Sequence, residues 1–157
     1  MQKVMYLHGL ESKPGGEKVE FLEKHFEVLA PECDYKNNEN IFFDLLSQAQ
    51  DFQPDIIIGS SMGGYMAYYI SQHLNRPIIL FNPALAYQPI KRVVKVGPHK
   101  PSVFLGLGFY DEVVPSFSSF NILGDSIINA SFGKHTHQTP FYFFTKVIRE
   151  VTGLNIY

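Results

Sequence analysis

Short apolar runs alternate with longer amphipathic segments along this chain. Val4–Leu7 reads as a buried strand that stops at His8-Gly9, and Glu27–Ala30 as a second, stopped by Pro31. The β-branched run Asp55–Ile58 ends at Gly59, and Pro77–Phe81, Ser102–Leu107 and Ser126–Ser131 supply three more strands. The segments between them carry helical spacing. Glu17–His25 puts Val19, Phe21 and Leu22 on or near one face, with Phe26 just beyond. Ile41–Gln50 turns Ile41, Leu45, Leu46 and Ala49 inward. Met62–Leu74 is apolar nearly all round, which predicts a buried helix. A further helix is expected from near Pro115. Thr139-Pro140 predicts an N-cap followed by proline at the first helical position, opening a helix to about Val151.

Strands alternating with helices predict βαβ units, and apolar runs without strict alternation predict strands covered on both faces. The expected fold is therefore α/β: a doubly wound, mostly parallel sheet of about six strands with helices on both faces. Composition sharpens this picture. At 157 residues the chain sits near the usual domain size, so residues 1–157 are expected to form one domain. An apolar fraction of 45%, with 14 Phe and 9 Tyr, excludes disorder. The balance of 13 Lys+Arg against 15 Asp+Glu gives no basic surface for nucleic acid. Cys33 is the one cysteine, which excludes an intrachain disulfide and a cysteine-built metal site. No apolar run approaches the roughly 18 residues of a membrane span, and the N-terminal run is too short for a signal peptide. A cytoplasmic protein without membrane contact is expected.

In such sheets ligands bind beyond the carboxyl ends of the strands. Gly59-Ser60-Ser61-Met62-Gly63 lies there and fits G-x-S-x-G, with a strand before it and a helix after. A strand-to-helix turn that tight leaves no room for side chains at its flanking positions. It also presents Ser61 at a helix start, where the dipole and the Met62 amide favour a developing oxyanion. The glycines centre the motif on Ser61 rather than Ser60. The alternative is a Gly-rich structural turn, or one cradling a phosphate, though the G-x-G-x-x-G and G-K-[ST] patterns of a nucleotide site are absent. His8-Gly9-Leu10 follows the first strand; Leu10 is expected to offer the second oxyanion amide, and His8 reads as a structural histidine.

A serine hydroxyl needs an imidazole to take its proton, and the imidazole needs a carboxylate to fix its tautomer. The expected chain order is Ser, Asp, His. Asp111 follows the fifth predicted strand, with Glu112 the weaker candidate. After the last strand come Gly133-Lys134-His135-Thr136-His137, and either histidine could be the base. His135, directly off the strand end, is favoured over His137. H-x-H could also be a metal pair, but no third ligand is evident; neither metal nor cofactor is expected.

Tyr6-Leu7-His8-Gly9-Leu10-Glu11-Ser12-Lys13-Pro14, Gly59-Ser60-Ser61-Met62-Gly63-Gly64-Tyr65, Asn82-Pro83-Ala84, Asp111-Glu112-Val113 and Gly133-Lys134-His135 stand in this order along the chain. Together they resemble the small α/β-hydrolases of the YqiA-like esterase family. The resemblance implies an α/β-hydrolase fold, with Ser61, Asp111 and His135 as triad and Leu10 and Met62 as oxyanion donors. That family carries a longer segment between Asn-Pro-Ala and Asp-Glu-Val, whereas only Leu85–Tyr110 intervenes here. A minimal cap is expected, or a roof built by a second subunit in a homo-oligomer.

The activity expected is hydrolysis of a small-molecule acyl ester or thioester through an acyl-enzyme on Ser61. Tyr65, Leu85, Tyr87, Phe109 and Phe117 are expected to line its pocket with Leu10 and Met62, since all lie after strand ends or in adjoining segments. Lys91, Arg92, Lys95, His99 and Lys100 form a basic stretch expected near the mouth. It reads first as a solvated loop and second as an anion site, for instance for an acyl-CoA phosphate. Two rivals remain: a non-catalytic module using the same pocket to hold a ligand, and a flavodoxin-like phosphate-binding domain.

Overall fold

The computed structural model describes residues 1–154. Among these, strands β1 (Lys3–Leu7), β2 (Glu27–Leu29), β3 (Ile56–Ser60), β4 (Ile78–Phe81), β5 (Val103–Gly108) and β6 (Ile127–Gly133) form one sheet. Helices α1 (Glu17–Glu23), α2 (Ile41–Phe52), α3 (Met62–Leu74), α4 (Ser116–Leu123) and α5 (Phe141–Thr152) connect or follow them. Every adjacent pair of strands is parallel, in the order β2-β1-β3-β4-β5-β6.

The absence of strict alternation in the strands has the predicted cause. In β1, Met5 and Leu7 join one apolar cluster, while Val4 and Tyr6 join the other. Ile57 and Leu80 lie on the first side; Ile56, Ile58, Ile79 and Phe81 lie on the second. The first cluster is closed by α2 and α3 through Phe42, Leu45, Met66 and Ile70, and the second by α1 and α5 through Leu22, Phe144 and Ile148. Both faces of the central strands β1, β3, β4 and β5 are thus buried and these strands are apolar nearly throughout, whereas the edge strands β2 and β6 keep exposed positions such as Glu27 and Asn129.

The topology also creates the site. The chain runs from β1 through α1 to β2 on one side, then crosses back through α2 to β3 on the other side of β1. Successive crossovers diverge at this reversal, leaving a crevice beyond the carboxyl ends of β1 and β3. His8 and Ser61 follow those two ends.

Two local expectations need correction. β3 runs to Ser60, so Gly59 and Ser60 belong to the strand and the turn is compressed onto Ser61 alone. Helix α5 starts at Phe141 with Pro140 as the cap, and Thr139 makes no cap hydrogen bond. Its hydroxyl instead accepts from Asn82 Nδ2 at 3.4 Å. No described helix is long and apolar enough to cross a membrane.

Phe144 is fully buried, with its ring centroid 4.9 Å from that of Phe81 and 5.9 Å from that of Tyr6. Phe144→Ala should lower the unfolding free energy by about 3–5 kcal/mol. Truncating the exposed Tyr142 of the same helix should change it by less than about 0.5 kcal/mol. Urea denaturation of the two variants measures the contrast.

Candidate active site

The elbow after β3 is set by contact between backbones. A Cβ on Gly59 would lie 2.4 Å from the Gly63 carbonyl oxygen, and one on Gly63 would lie 2.1 Å from that of Leu7. Only glycine lets the first turn of α3 press this closely onto β3 and β1. The price falls on Ser61, which adopts φ 54° and ψ −116°, a region costing roughly 1–3 kcal/mol for a residue with a side chain. Its amide donates to Phe81 O at 3.0 Å and its carbonyl accepts from the Ala84 amide at 2.9 Å. The strained residue is therefore bonded on both sides to β4 and the turn that follows it.

Ser61 Oγ lies 2.7 Å from His137 Nε2, and His137 Nδ1 lies 2.8 Å from Asp111 Oδ2. With Nδ1–H donating to the carboxylate, Nε2 carries the lone pair that accepts from the serine hydroxyl. The other carboxylate oxygen, Asp111 Oδ1, accepts from the amides of Val113 and Val114, each at 2.9 Å. The Asp111 side chain is wholly buried, whereas His137 keeps 22% of its side-chain surface exposed. A buried carboxylate with three donors stays put, and it fixes the imidazole tautomer.

The expectation that His135 faces Ser61 is therefore corrected: His137 occupies that position. Beyond β6 the chain turns inward, and His135 packs over Gly133 with its ring centroid 4.7 Å from that of Phe143. Both of its ring nitrogens are buried without a hydrogen-bond partner. Asn82 brings the second histidine to the serine. Its Nδ2 donates to the carbonyls of His137 at 2.8 Å and Thr136 at 3.5 Å, while its Oδ1 accepts from the Gly108 amide at 2.7 Å. Asn82 itself sits at φ 42°. One buried side chain thus ties the turn after β4 to the end of β5 and to the loop after β6. The sequence signalled this residue only by its place beside a proline at a strand end and by Asn82-Pro83-Ala84 standing among the segments of the family resemblance, neither of which gave its role.

His8 is structural, as expected. Its Nε2 accepts from the Cys33 amide at 2.9 Å, which puts the ring proton on Nδ1, 2.7 Å from the Gly9 carbonyl oxygen. Ser12 N also donates to that carbonyl, at 3.2 Å, and Tyr35 Oη donates to His8 O at 2.7 Å. In a trans peptide the N–H points opposite the C=O, so holding Gly9 O also sets the direction of the Leu10 N–H. Met62 opens α3, where position alone leaves its amide without an intrahelical acceptor. Burial pushes the Cys33 thiol up to about 11, which makes it a poor nucleophile.

A cavity of about 410 Å³ opens beside Ser61 and His137. Leu10 and Tyr87 line it, together with Ala84, Pro89, Val113 and Val114. The other expected pocket residues lie elsewhere. Met62, Tyr65 and Leu85 are packed in the core, because α3 turns those side chains, and the turn after β4 turns Leu85, onto the sheet. Phe109 and Phe117 are 64% and 67% exposed, and the Phe109 ring lies 5.1 Å from that of Phe132 in β6. The later part of the basic stretch is also displaced. Lys95 O is bonded by His73, and His99 N by Gln72 O, so the later part of the stretch is strapped to the C-terminal half of α3, while Arg92 donates to the Lys36 carbonyl. Ser61 stands at the opposite end of that helix. Among the described residues no group of three or more His, Cys, Asp or Glu could hold a metal ion.

Burial lowers the proton affinity of His135 below the ordinary 6.5. Above that pH both folded and unfolded chains hold a neutral imidazole. Below it the unfolded chain takes up a proton that the folded chain resists, so stability falls as the pH falls. His135→Asn should make the loss of unfolding free energy between pH 7 and pH 5 shallower, as urea titrations at several pH values would show.

Several solved structures share this architecture. A protein of Xanthomonas campestris pv. campestris assigned to the alpha/beta hydrolase superfamily matches with a TM-score of 0.76 at 16% identity, covering 98% of this chain and 99% of that one. Esterase PE8 matches at 0.62 and 18% identity, over 98% and 93% of the two chains. The monoacylglycerol lipase of Paleococcus ferrophilus matches at 0.71 and 14% identity, over 96% and 93%. At these identities the likeness establishes the α/β-hydrolase fold. No curated protein sequence matches the chain. The model of the uncharacterised protein family UPF0227 matches residues 3–93, more than half the length and including the β1 loop, the elbow and Asn82. The chain belongs to that family.

Proposed function

We propose that this protein is a serine hydrolase that cleaves a carboxylic ester or thioester through an acyl-enzyme on Ser61. The observation that carries the reading is the continuous hydrogen-bonded line from Ser61 Oγ through His137 to the buried Asp111, with steps of 2.7 and 2.8 Å. The first link lies within the reach required for proton transfer, and the second is a hydrogen bond that orients the imidazole. The similarity of the fold to an esterase and a lipase supports the same chemistry.

Ser61 Oγ attacks the substrate carbonyl while His137 Nε2 takes the hydroxyl proton. Asp111 holds the resulting imidazolium by charge and hydrogen bond. The carbonyl oxygen becomes an oxyanion at the head of α3, with the Met62 N–H and the Leu10 N–H as its donors. Collapse of the tetrahedral adduct expels the alcohol or thiol, which leaves with the proton from His137. Water then attacks the acyl-enzyme with His137 again as base, and the acid departs. The strained Ser61 backbone keeps the hydroxyl at the crest of the turn throughout, so no reorganisation precedes attack.

A fluorophosphonate probe tests the reading directly. It should label the wild-type protein at Ser61, identified by peptide mass, and should not label Ser61→Ala or His137→Ala; His135→Asn should still be labelled. Absence of wild-type labelling would favour the non-catalytic ligand-binding module instead. Asp111→Asn should reduce the turnover of a short p-nitrophenyl ester by about 10⁴-fold, because the amide favours the wrong imidazole tautomer.

A further inference from the structure

The cavity beside Ser61 has two chemically different sides. One is apolar, formed by Leu10, Ala84, Tyr87, Pro89, Val113 and Val114. The other reaches toward the face of the sheet covered by α1 and α5, because Tyr6 and Phe81 point that way. Lys18, Tyr6 and Ser60 meet the cavity on this second side. Lys18 comes from α1 and is half-buried, its ammonium 5.5 Å from the centroid of the Phe144 ring.

No carboxylate forms a salt bridge with Lys18 among the described residues. Glu11, the other charged residue lining the cavity apart from the histidine, is paired with Lys36 at 2.9 Å. Asp111 is committed to His137 and two amides. Burial pulls the ammonium below its ordinary pKa, with the exposed carboxylate of the neighbouring Glu17 pulling the other way and not forming a salt bridge. Burial also pushes the Tyr6 phenol up to about 12, with Ser60 pulling slightly the other way, so the phenol remains a neutral donor at physiological pH. Ser60 Oγ is buried without a hydrogen-bond partner. This side therefore offers an ammonium and hydroxyl donors with no carboxylate bonded to them inside the cavity, and a desolvated donor set of this kind is completed by an anion.

We propose that the Lys18–Tyr6–Ser60 side of the cavity is a subsite for a carboxylate of the substrate. The ester or thioester cleaved at Ser61 then carries a carboxylate a few atoms from the scissile carbonyl, as a half-ester of a dicarboxylic acid does. Lys18 supplies the charge and Tyr6 a directed hydrogen bond, with the Ser60 hydroxyl behind the phenol. One ammonium matches the single charge of a carboxylate. The inference rests on Ser61 being the nucleophile.

The test compares mono-p-nitrophenyl glutarate with the uncharged p-nitrophenyl pentanoate, whose acyl chain has the same number of carbons. Wild-type kcat/KM should favour the glutarate by about 10-fold or more. Lys18→Met should bring the ratio to about one, and Lys18→Glu should invert it. A wild-type ratio at or below one, or a ratio that neither substitution moves, overturns the subsite and leaves the hydrolase intact. Binding is read separately on the Ser61→Ala protein, which cannot turn over. Monomethyl glutarate should raise its Tm and methyl pentanoate should not, and adding Lys18→Met should remove the shift. If neither p-nitrophenyl ester is hydrolysed, the hydrolase reading fails, and the thermal shift still decides the subsite. No Tm shift with monomethyl glutarate counts against it.

Discussion

The close approach of α3 to the ends of β1 and β3 is the constraint on which the rest depends. Backbone carbonyls of Leu7 and Gly63 occupy space that any Cβ at Gly63 or Gly59 would need. That contact leaves Ser61 nowhere to go but the φ 54° conformation. It also sets the hydroxyl at the crevice made by the reversal of strand order. Residues held in such sparsely populated regions persist only when the surroundings over-determine them. Here the amide and carbonyl of Ser61 are both bonded to β4 and its following turn.

A second constraint operates across the sheet. Three loops, after β4, β5 and β6, must agree in position to within a hydrogen bond, although they are far apart in sequence. Asn82 meets this need by donating to the loop after β6 and accepting from the end of β5. Asp111 adds its own bonds to the amides that follow it, which converts a flexible loop into a rigid mount for a carboxylate. On the other side of Ser61, His8 and Tyr35 hold the β1 loop by the same means. The site is thus built almost wholly of short polar bonds, on a scaffold whose own cohesion is apolar.

The segment between Asn82 and Pro101 shapes access to that site. Its middle is strapped to Gln72 and His73 near the far end of α3. Only its first residues, Ala84, Tyr87 and Pro89, reach the cavity. This segment's share of the apolar wall is therefore irregular chain and not a helical cap, and Leu10, Val113 and Val114 from two other loops complete that wall. The opposite wall is furnished by α1 with Lys18, so the two sides of the cavity present different chemistry.

Much of the fold was legible in the chain because it follows from local periodicity. Apolar runs such as Val4–Leu7 and Pro77–Phe81 are strands wherever they occur in a doubly covered sheet, and the glycines around Ser61 declare a turn too tight for side chains. Asp111 could be placed because the carboxylate had to lie just beyond a strand. The choice between His135 and His137 was not legible. Both follow β6 closely, and only the reach of Asn82 to the His137 carbonyl, with Phe143 receiving the other ring, decides which one turns to the serine. Pocket membership was equally hidden, since Tyr65 and Phe109 lie near the site in sequence while helix phase and edge position send one to the core and the other to the surface. Spacing along a chain reports which backbone segment a side chain leaves from. The direction it takes is settled by contacts with residues many positions away, and those exist only once the layers have packed.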